Sequence, residues 1–395
     1  MKQYADIYFN ELLNSIIPFW EKHSRDDEHG GFYTCLDEKG NVFDTDKFMW
    51  LQGRQVWCFS MLYDKVEKRQ EWLDMAHHGA AFMQKYGMDK DGNWYFSLTK
   101  EGKPLVQPYN IFSDCFATMA FAALHKIDPK EEYATIARNT FENIIKRSSN
   151  WKGIYNKNYP GTRVLKNFSL PMILCNLSLE MEHILGSARV DEFIPQVIHE
   201  VMDVFYQPDK GLILENVYAD GSFCDSFEGR TMNPGHVIEA MWFIMDLGKR
   251  LNDEALIKKA CDIMLNTLEY GWDKKHGGIF YFLDIKNAPM QQLEWDQKLW
   301  WVHAEALVAL AKGYTYTGSE QCKVWFEKLH DYTWKHFRDP EYTEWFGYLN
   351  RQGEPLLRLK GGKWKGCFHI PRSLYQVYDT LSATKAVRHE DALSI

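Results

Sequence analysis

Apolar positions recur at helical spacing in paired stretches along this chain. Phe48–Val66 and Trp72–Tyr86 form one such pair, and Ile111–Lys126 and Tyr133–Ile145 the next. Between pairs the period changes to a glycine, an aromatic-rich strand pattern and a polar turn. The copies read Gly31-Phe-Tyr-Thr-Cys-Leu-Asp-Glu-Lys-Gly40, Gly92-Asn-Trp-Tyr-Phe-Ser-Leu98, Gly153-Ile-Tyr-Asn156, Gly211-Leu-Ile-Leu-Glu-Asn-Val217, Gly278-Ile-Phe-Tyr-Phe-Leu-Asp284 and Gly347-Tyr-Leu-Asn-Arg-Gln-Gly353. Their leading glycines are 61, 61, 58, 67 and 69 residues apart, too regular for coincidence and too long for a helix-turn-helix solenoid. Six repeats of two helices each predict an all-α fold, an (α/α)6 barrel of twelve helices with short β-hairpins gathered at one rim. A closed ring has no internal boundary, and no Pro/Ser-rich, low-complexity or single-charge tract interrupts the chain, so residues 1–395 read as one domain. The barrel mouth is the concavity in which a small-molecule site is expected.

Composition narrows the ligand. Aromatic residues make up 15% of the chain, including 15 Trp. Sugars stack on aromatic faces, which points to carbohydrate, while filling a large helical core is the plainer use of the same residues. The net charge of −8, with both signs interspersed, lacks the basic footprint of a nucleic-acid binder. The opening Met1-Lys-Gln-Tyr-Ala-Asp-Ile-Tyr-Phe-Asn10 reads as an amphipathic helix, and no apolar run of about 18 residues follows. A soluble, cytoplasmic protein without a membrane partner is the expectation. Eight scattered cysteines without a Cys-x-x-Cys pair argue for reduced structural thiols, against zinc knuckles or a disulfide framework.

Candidate chemistry concentrates at predicted helix mouths. In Asn233-Pro-Gly-His-Val-Ile-Glu239, Pro-Gly opens a helix with His236 in its first turn, and Glu239 at i+3 shares its face and is expected to orient the imidazole. In Trp300-Trp-Val-His-Ala-Glu305, residues two apart face different ways, so Glu305 is expected to point into the barrel. His303 then reads as a core histidine or, at the rim, a sugar contact. His369 precedes Pro371, which suits the first turn of the last helix. Arg54, in the apolar stretch Trp50-Leu-Gln-Gly-Arg-Gln-Val-Trp57, is a buried cation that needs either an internal carboxylate or a ligand. His-Glu-x-x-His, phosphate-cradling glycine loops and Gly-x-Ser-x-Gly are all missing, so no metal is expected.

Taken together, Trp-Leu-Gln-Gly-Arg54, Pro-Gly-His236-Val-Ile-Glu239-Ala, Trp301-Val-His-Ala-Glu305-Ala and Trp364-Lys-Gly-Cys-Phe-His369-Ile-Pro-Arg372 resemble the N-acylglucosamine 2-epimerase family, over about residues 4–382. The resemblance implies an (α/α)6 barrel, usually a homodimer, that interconverts N-acetyl-D-glucosamine and N-acetyl-D-mannosamine. Carried over by motif, its active residues fall on Arg54, His236, Glu305 and His369. C2 epimerisation removes a proton next to the C1 aldehyde and returns one on the other face, which requires two bases of near-neutral pKa, about 6.5 for an ordinary histidine. The enediolate between them needs a fixed cation, the role expected of Arg54, with Glu305 holding a hydroxyl or shuffling protons during ring opening. Tyr109, Met172, Trp301, His303 and Trp364 are the expected sugar contacts.

The same barrel serves cellobiose 2-epimerases and mannose isomerases. Those relatives resemble one another in a third histidine on the helix matching Leu170-Pro-Met-Ile-Leu-Cys-Asn176, where this chain has Met172. That substitution resembles the N-acylglucosamine branch. Some members of the branch use ATP as an activator and not as a reactant, and the basic segment Lys152–Arg163 offers a phosphate contact if it is not simply solvated. A glycoside hydrolase using two of Asp114, Glu239, Glu294 and Glu305, and a non-catalytic binding protein, are the other readings weighed.

Overall fold

The computed structural model describes residues 1–391; the end of the expected single domain, residues 392–395, lies outside the described residues. Twelve helices make the ring. Helix α1 spans Lys2–Glu11 and runs through a π turn into Ile17–His23. It is followed by α2 (Met49–Lys65), α3 (Gln70–Tyr86), α4 (Phe112–Ile127), α5 (Glu131–Arg147), α6 (Ser169–Glu180), α7 (Ser187–His199), α8 (Pro234–Leu251), α9 (Glu254–Gly271), α10 (Trp300–Thr317), α11 (Glu320–His336) and α12 (His369–Asp391). The helices predicted from apolar spacing differ from α2, α3, α4 and α5 by one to a few residues at their ends, where chain termini of helices fray.

The even-numbered helices form the inner wall and pack on one another in chain order, and α1 lies against α12 to join the two ends of the chain. Sequence separates the two rings. An inner helix is buried all round: every residue of α2 from Met49 to Leu62, Trp50 excepted, is buried. An outer helix buries a single stripe, in α5 Tyr133, Ala134, Ala137, Thr140, Phe141 and Ile144, and gives its other face to water. Gly53 lets α2 approach α4 closely, because a β-carbon there would lie 2.6 Å from the carbonyl oxygen of Phe116.

Five of the six glycine-led patterns fold back as tight antiparallel turns. Four of these are organised by an aspartate, Asp26, Asp89, Asp273 or Asp339, whose Oδ1 accepts two backbone N–H groups. Three of the aspartates also hold a buried lysine from the segment entering the next inner helix: Lys47 on Asp26 at 2.6 Å, Lys298 on Asp273 at 3.1 Å and Lys360 on Asp339 at 2.7 Å. The pattern at Gly153 departs from the expectation. It lacks the organising aspartate and forms a 3₁₀ turn, Gly153–Tyr155, with Ile154 90% exposed. The short sheets and turns lie where the inner helices begin, which places six helix starts around one mouth.

Asp273→Asn keeps an acceptor for the turn but strips the carboxylate from Lys298 and from Arg351, which also bonds Asp273 at 3.1 Å. A loss of about 3–5 kcal/mol is expected, read as a lowered thermal midpoint, with much of it recovered in Asp273→Asn/Lys298→Met.

Candidate active site

Helix α8 starts with Pro234 in its first turn, and the side chain of Asn233 caps it by accepting the His236 amide at 3.2 Å. Gly235 seats this start against α10: a β-carbon would lie 2.6 Å from Cη2 of Trp301. Nδ1 of His236 donates to Glu215, 3.0 Å from Oε2 and 3.1 Å from Oε1, leaving Nε2 free. Glu215, not Glu239, therefore orients this imidazole. Glu239 lies one turn deeper and bonds the guanidinium of Arg372, which corrects the role expected from i+3 spacing.

The second imidazole is arranged the same way. His369, the first residue of α12, donates from Nδ1 to Oε1 of Glu305 at 2.7 Å. Glu305 is fully buried, accepts from Nε1 of Trp242 at 3.0 Å and pairs with Arg372 at 2.8 Å, so its carboxylate is an orienting group for His369 and is not free to hold a hydroxyl. The indole of Trp301 is in ring contact with both histidines, 5.4 Å from His236 and 5.8 Å from His369 between ring centroids.

Their electrostatics differ. Burial opposes a charge on His236, but the charge and hydrogen bond of Glu215, with Glu239 behind, outweigh it and raise its pKa above the ordinary imidazole value. Burial, reinforced by the charges of Arg54, Arg372 and His236 and opposed by Glu239, drives the pKa of His369 well below that value. One imidazole is thus suited to give a proton and the other to take one.

Arg54 is 8% exposed and makes no ion pair among the described residues; its Nε has no hydrogen-bond partner. Its guanidinium lies over the rings of Phe116, Trp50 and Phe368 at 4.0, 4.6 and 5.0 Å, and its charge reaches His369. Burial pulls its pKa down to about 9, which leaves it charged at neutral pH. Of the two expectations for a buried arginine here, the internal-carboxylate one fails.

The other predicted contacts separate. Trp50, Phe96, Tyr109 and Trp364 form one aromatic cluster beside Arg54, with Trp364 46% exposed. Met172 is buried in the first turn of α6. His303 belongs to the framework: its Nδ1 donates to the Leu299 carbonyl at 2.7 Å, its Nε2 accepts the Ile279 amide at 3.0 Å, and its ring stacks on Tyr332. With both nitrogens spent on backbone and no exposure, it is not placed to touch a sugar. Asp114 is likewise a framework group, paired with Arg147 at 2.9 Å. Glu239, Glu305 and His369 bring ligand-type atoms within 4.8 Å of one another, a set able to hold a divalent cation, but Arg372 already supplies the positive charge between the two carboxylates.

Sequence reasoning missed Glu215 and Arg372. Arg372 is three residues after His369 near the start of a helix, and the cost of a buried cation that singled out Arg54 applies to it equally. Glu215 is the lone acid in Leu212-Ile-Leu-Glu-Asn-Val217, a visible oddity whose partner helix no spacing reveals.

An (α/α)6 barrel that gathers two carboxylate-bound imidazoles, an indole in contact with both and a guanidinium outside any ion pair belongs to the barrel-epimerase class. The chain belongs to the N-acylglucosamine 2-epimerase (GlcNAc 2-epimerase) family, whose pattern matches residues 31–372. It is 39% identical over 383 residues to the N-acylglucosamine 2-epimerase of Rattus norvegicus, covering 94% of this chain and 90% of that one. It is 25% identical over 396 residues to a cellobiose 2-epimerase of Dictyoglomus turgidum, covering 93% and 96%. The solved cellobiose 2-epimerase of Bacillus thermoamylovorans shares the fold at a TM-score of 0.83 and 21% identity, over 96% of this chain and all of that one.

His303→Ala is expected to cost about 2–4 kcal/mol, since it empties a stacked core position and orphans two backbone groups. Arg54→Met removes a buried charge that has no carboxylate and is expected to leave the thermal midpoint unchanged or raise it. Differential scanning calorimetry on the two variants checks both.

Proposed function

We propose that the protein interconverts N-acetyl-D-glucosamine and N-acetyl-D-mannosamine by moving the C2 proton of the open-chain sugar between its two faces. The observation that carries this reading is the pair of imidazoles, His236 and His369, each fixed through Nδ1 by its own carboxylate and each against the ring of Trp301. His369, held neutral, takes the C2 proton through Nε2, and His236, held charged, gives one from the opposite face. The electron pair left on C2 passes to O1 as the enediolate, and Arg54, the guanidinium without a carboxylate of its own, stabilises it. Reversal of these roles carries the opposite epimer. Trp301 offers the sugar a stacking face, with Tyr109 and Trp364 at the rim.

Hydrolysis of a glycoside fits less well, because the two central carboxylates converge on Arg372 and do not face each other across a cleft. The 39% identity to the rat enzyme favours the N-acetylated substrates over cellobiose or mannose. The same reading includes a cytoplasmic homodimer serving sialic acid metabolism, no cofactor for the chemistry, and ATP at most as an activator contacting Lys152–Arg163.

Incubation with N-acetylmannosamine in deuterated water is expected to yield N-acetylglucosamine carrying deuterium at C2, and His369→Ala and His236→Ala to abolish the conversion; unlabelled product, or near-normal turnover of either variant, overturns the two-histidine reading. The kcat/KM profile should be a broad bell, its acid limb well below about 6.5 where His369 becomes protonated and its alkaline limb above that value where His236 loses its proton. Among N-acetylmannosamine, mannose and cellobiose, the first should have the highest kcat/KM, and Met172→His should shift the balance toward the unsubstituted sugars.

A further inference from the structure

We infer that Glu215 is the positioning residue that keeps His236 a proton donor, through a carboxylate shared with no other cation. The inference rests on the two-histidine reading above and adds a residue from outside the helix that carries His236. Glu215 lies just beyond the paired strand Leu212–Ile213, and its backbone is tied on both sides: its amide donates to the Thr231 carbonyl at 3.0 Å and its carbonyl accepts the Phe168 amide at 2.9 Å. Those bonds fix it between the entry to α6 and the entry to α8, so the carboxylate meets His236 without depending on a long, free side chain. Among the described residues, its other side-chain hydrogen-bond partner is the amide of Asn167, at 3.5 Å.

The comparison with Glu305 shows why this matters. Both carboxylates accept from an imidazole Nδ1, but Glu305 is also held by Arg372, Trp242 and Ser373, so its charge is largely answered before His369 is counted. Among the described residues, the single cationic partner of Glu215, whose side chain is 12% exposed, is His236. The remaining groups that face His236 do not replace it. Glu239 on α8 is bound to Arg372, Trp301 on α10 is uncharged, and Tyr281 has its pKa raised by burial and by Glu294 and Glu215, so its phenol stays neutral. His369 on α12 carries no charge at rest. Glu215 therefore holds the proton on Nδ1 by direct hydrogen bond and, with the more distant charge of Glu239 adding to its own, makes a second proton, on Nε2, favourable.

The test is a proton-NMR titration of the two histidines, assigned with His236→Asn and His369→Asn, in the wild type, Glu215→Gln and Glu215→Asp. Glu215→Gln keeps size and a hydrogen bond but removes the charge. It is expected to lower the His236 midpoint by a unit or more, to leave His369 without a comparable downward shift, and to pull the alkaline limb of kcat/KM down by the same amount, with kcat falling at least tenfold and KM little changed. Glu215→Asp, which retains the charge, is expected to hold the His236 midpoint near the wild-type value and to recover part of kcat. An unmoved His236 midpoint in Glu215→Gln overturns the inference and leaves the proposed reaction standing. Failure of the wild type to epimerise either sugar overturns the reaction, and the titration still decides the role of Glu215.

Discussion

The guanidinium of Arg372 holds the centre of this molecule together. It is 1% exposed, and from α12 it reaches Glu239 on α8 and Glu305 on α10, so three inner helices meet on one cation. Burying a charge costs several kcal/mol, and two carboxylates this close repel each other unless a cation lies between them. Arg372 removes that repulsion, and the rings of Phe368 and Trp242 under its plane soften its own desolvation. His369 then hangs on a carboxylate that is already fixed. Without Arg372, Glu305 would have reason to protonate or turn away, and the orientation of His369 would go with it.

When His236 carries the proton that its raised pKa favours, the charges around the mouth balance: Arg54, Arg372 and His236 face Glu215, Glu239 and Glu305, while the lowered pKa of His369 favours its neutral form. Within the proposed reaction, proton abstraction puts one positive charge on His369 and one negative charge on the sugar, so the site passes through the enediolate with no change of net charge. Two of the three cations are neutralised by carboxylates in contact with them. Arg54 is not, and its field is the one available to an anion formed on the ligand. Burial lowers the pKa of His369 most, and the same field of Arg54, with that of Arg372, lowers it further, which ties the resting state of the base to the stabilisation of its product.

Much of the barrel was legible because its two periods are strong. Inner helices are mostly apolar and outer ones carry a single apolar stripe, and the glycine-led segments recur at near-constant spacing, so the helix pairs and their number follow from these two periods together. The repeat at Gly153 misled because glycine and an aromatic occur there without the aspartate that organises four of the other five turns. The site was legible as a set of helix-mouth residues, Arg54, His236, Glu305 and His369. The partner of each was not. Spacing along one helix favoured Glu239 for His236, but the side chains at i and i+3 diverge once one is in the first turn at the rim and the other is drawn inward by a cation from α12. Which carboxylate meets which imidazole is decided between repeats, at separations of 21 and 64 residues, where no local pattern speaks.

His303 and Glu305 show how a repeated framework carries a site that is not repeated. Two residues apart on α10, they face opposite ways. His303 turns outward and grips the turn at Ile279; Gln52 occupies the matching place on α2 and grips Phe32 through both its amide oxygen and its amide nitrogen, each at 2.8 Å. Side chains of different chemistry thus perform one job, anchoring a rim turn to the start of an inner helix. At three of the turns the aspartate also holds the buried lysine of the segment that enters an inner helix, and so helps fix where that helix begins. The inward residues at those starts are then free to differ: an arginine on α2, an imidazole on α8, a carboxylate on α10 and an imidazole followed by an arginine on α12. A deep, rigid ring lets these groups converge from distant parts of the chain, and the outward half of each helix start supplies the rigidity that the inward half needs.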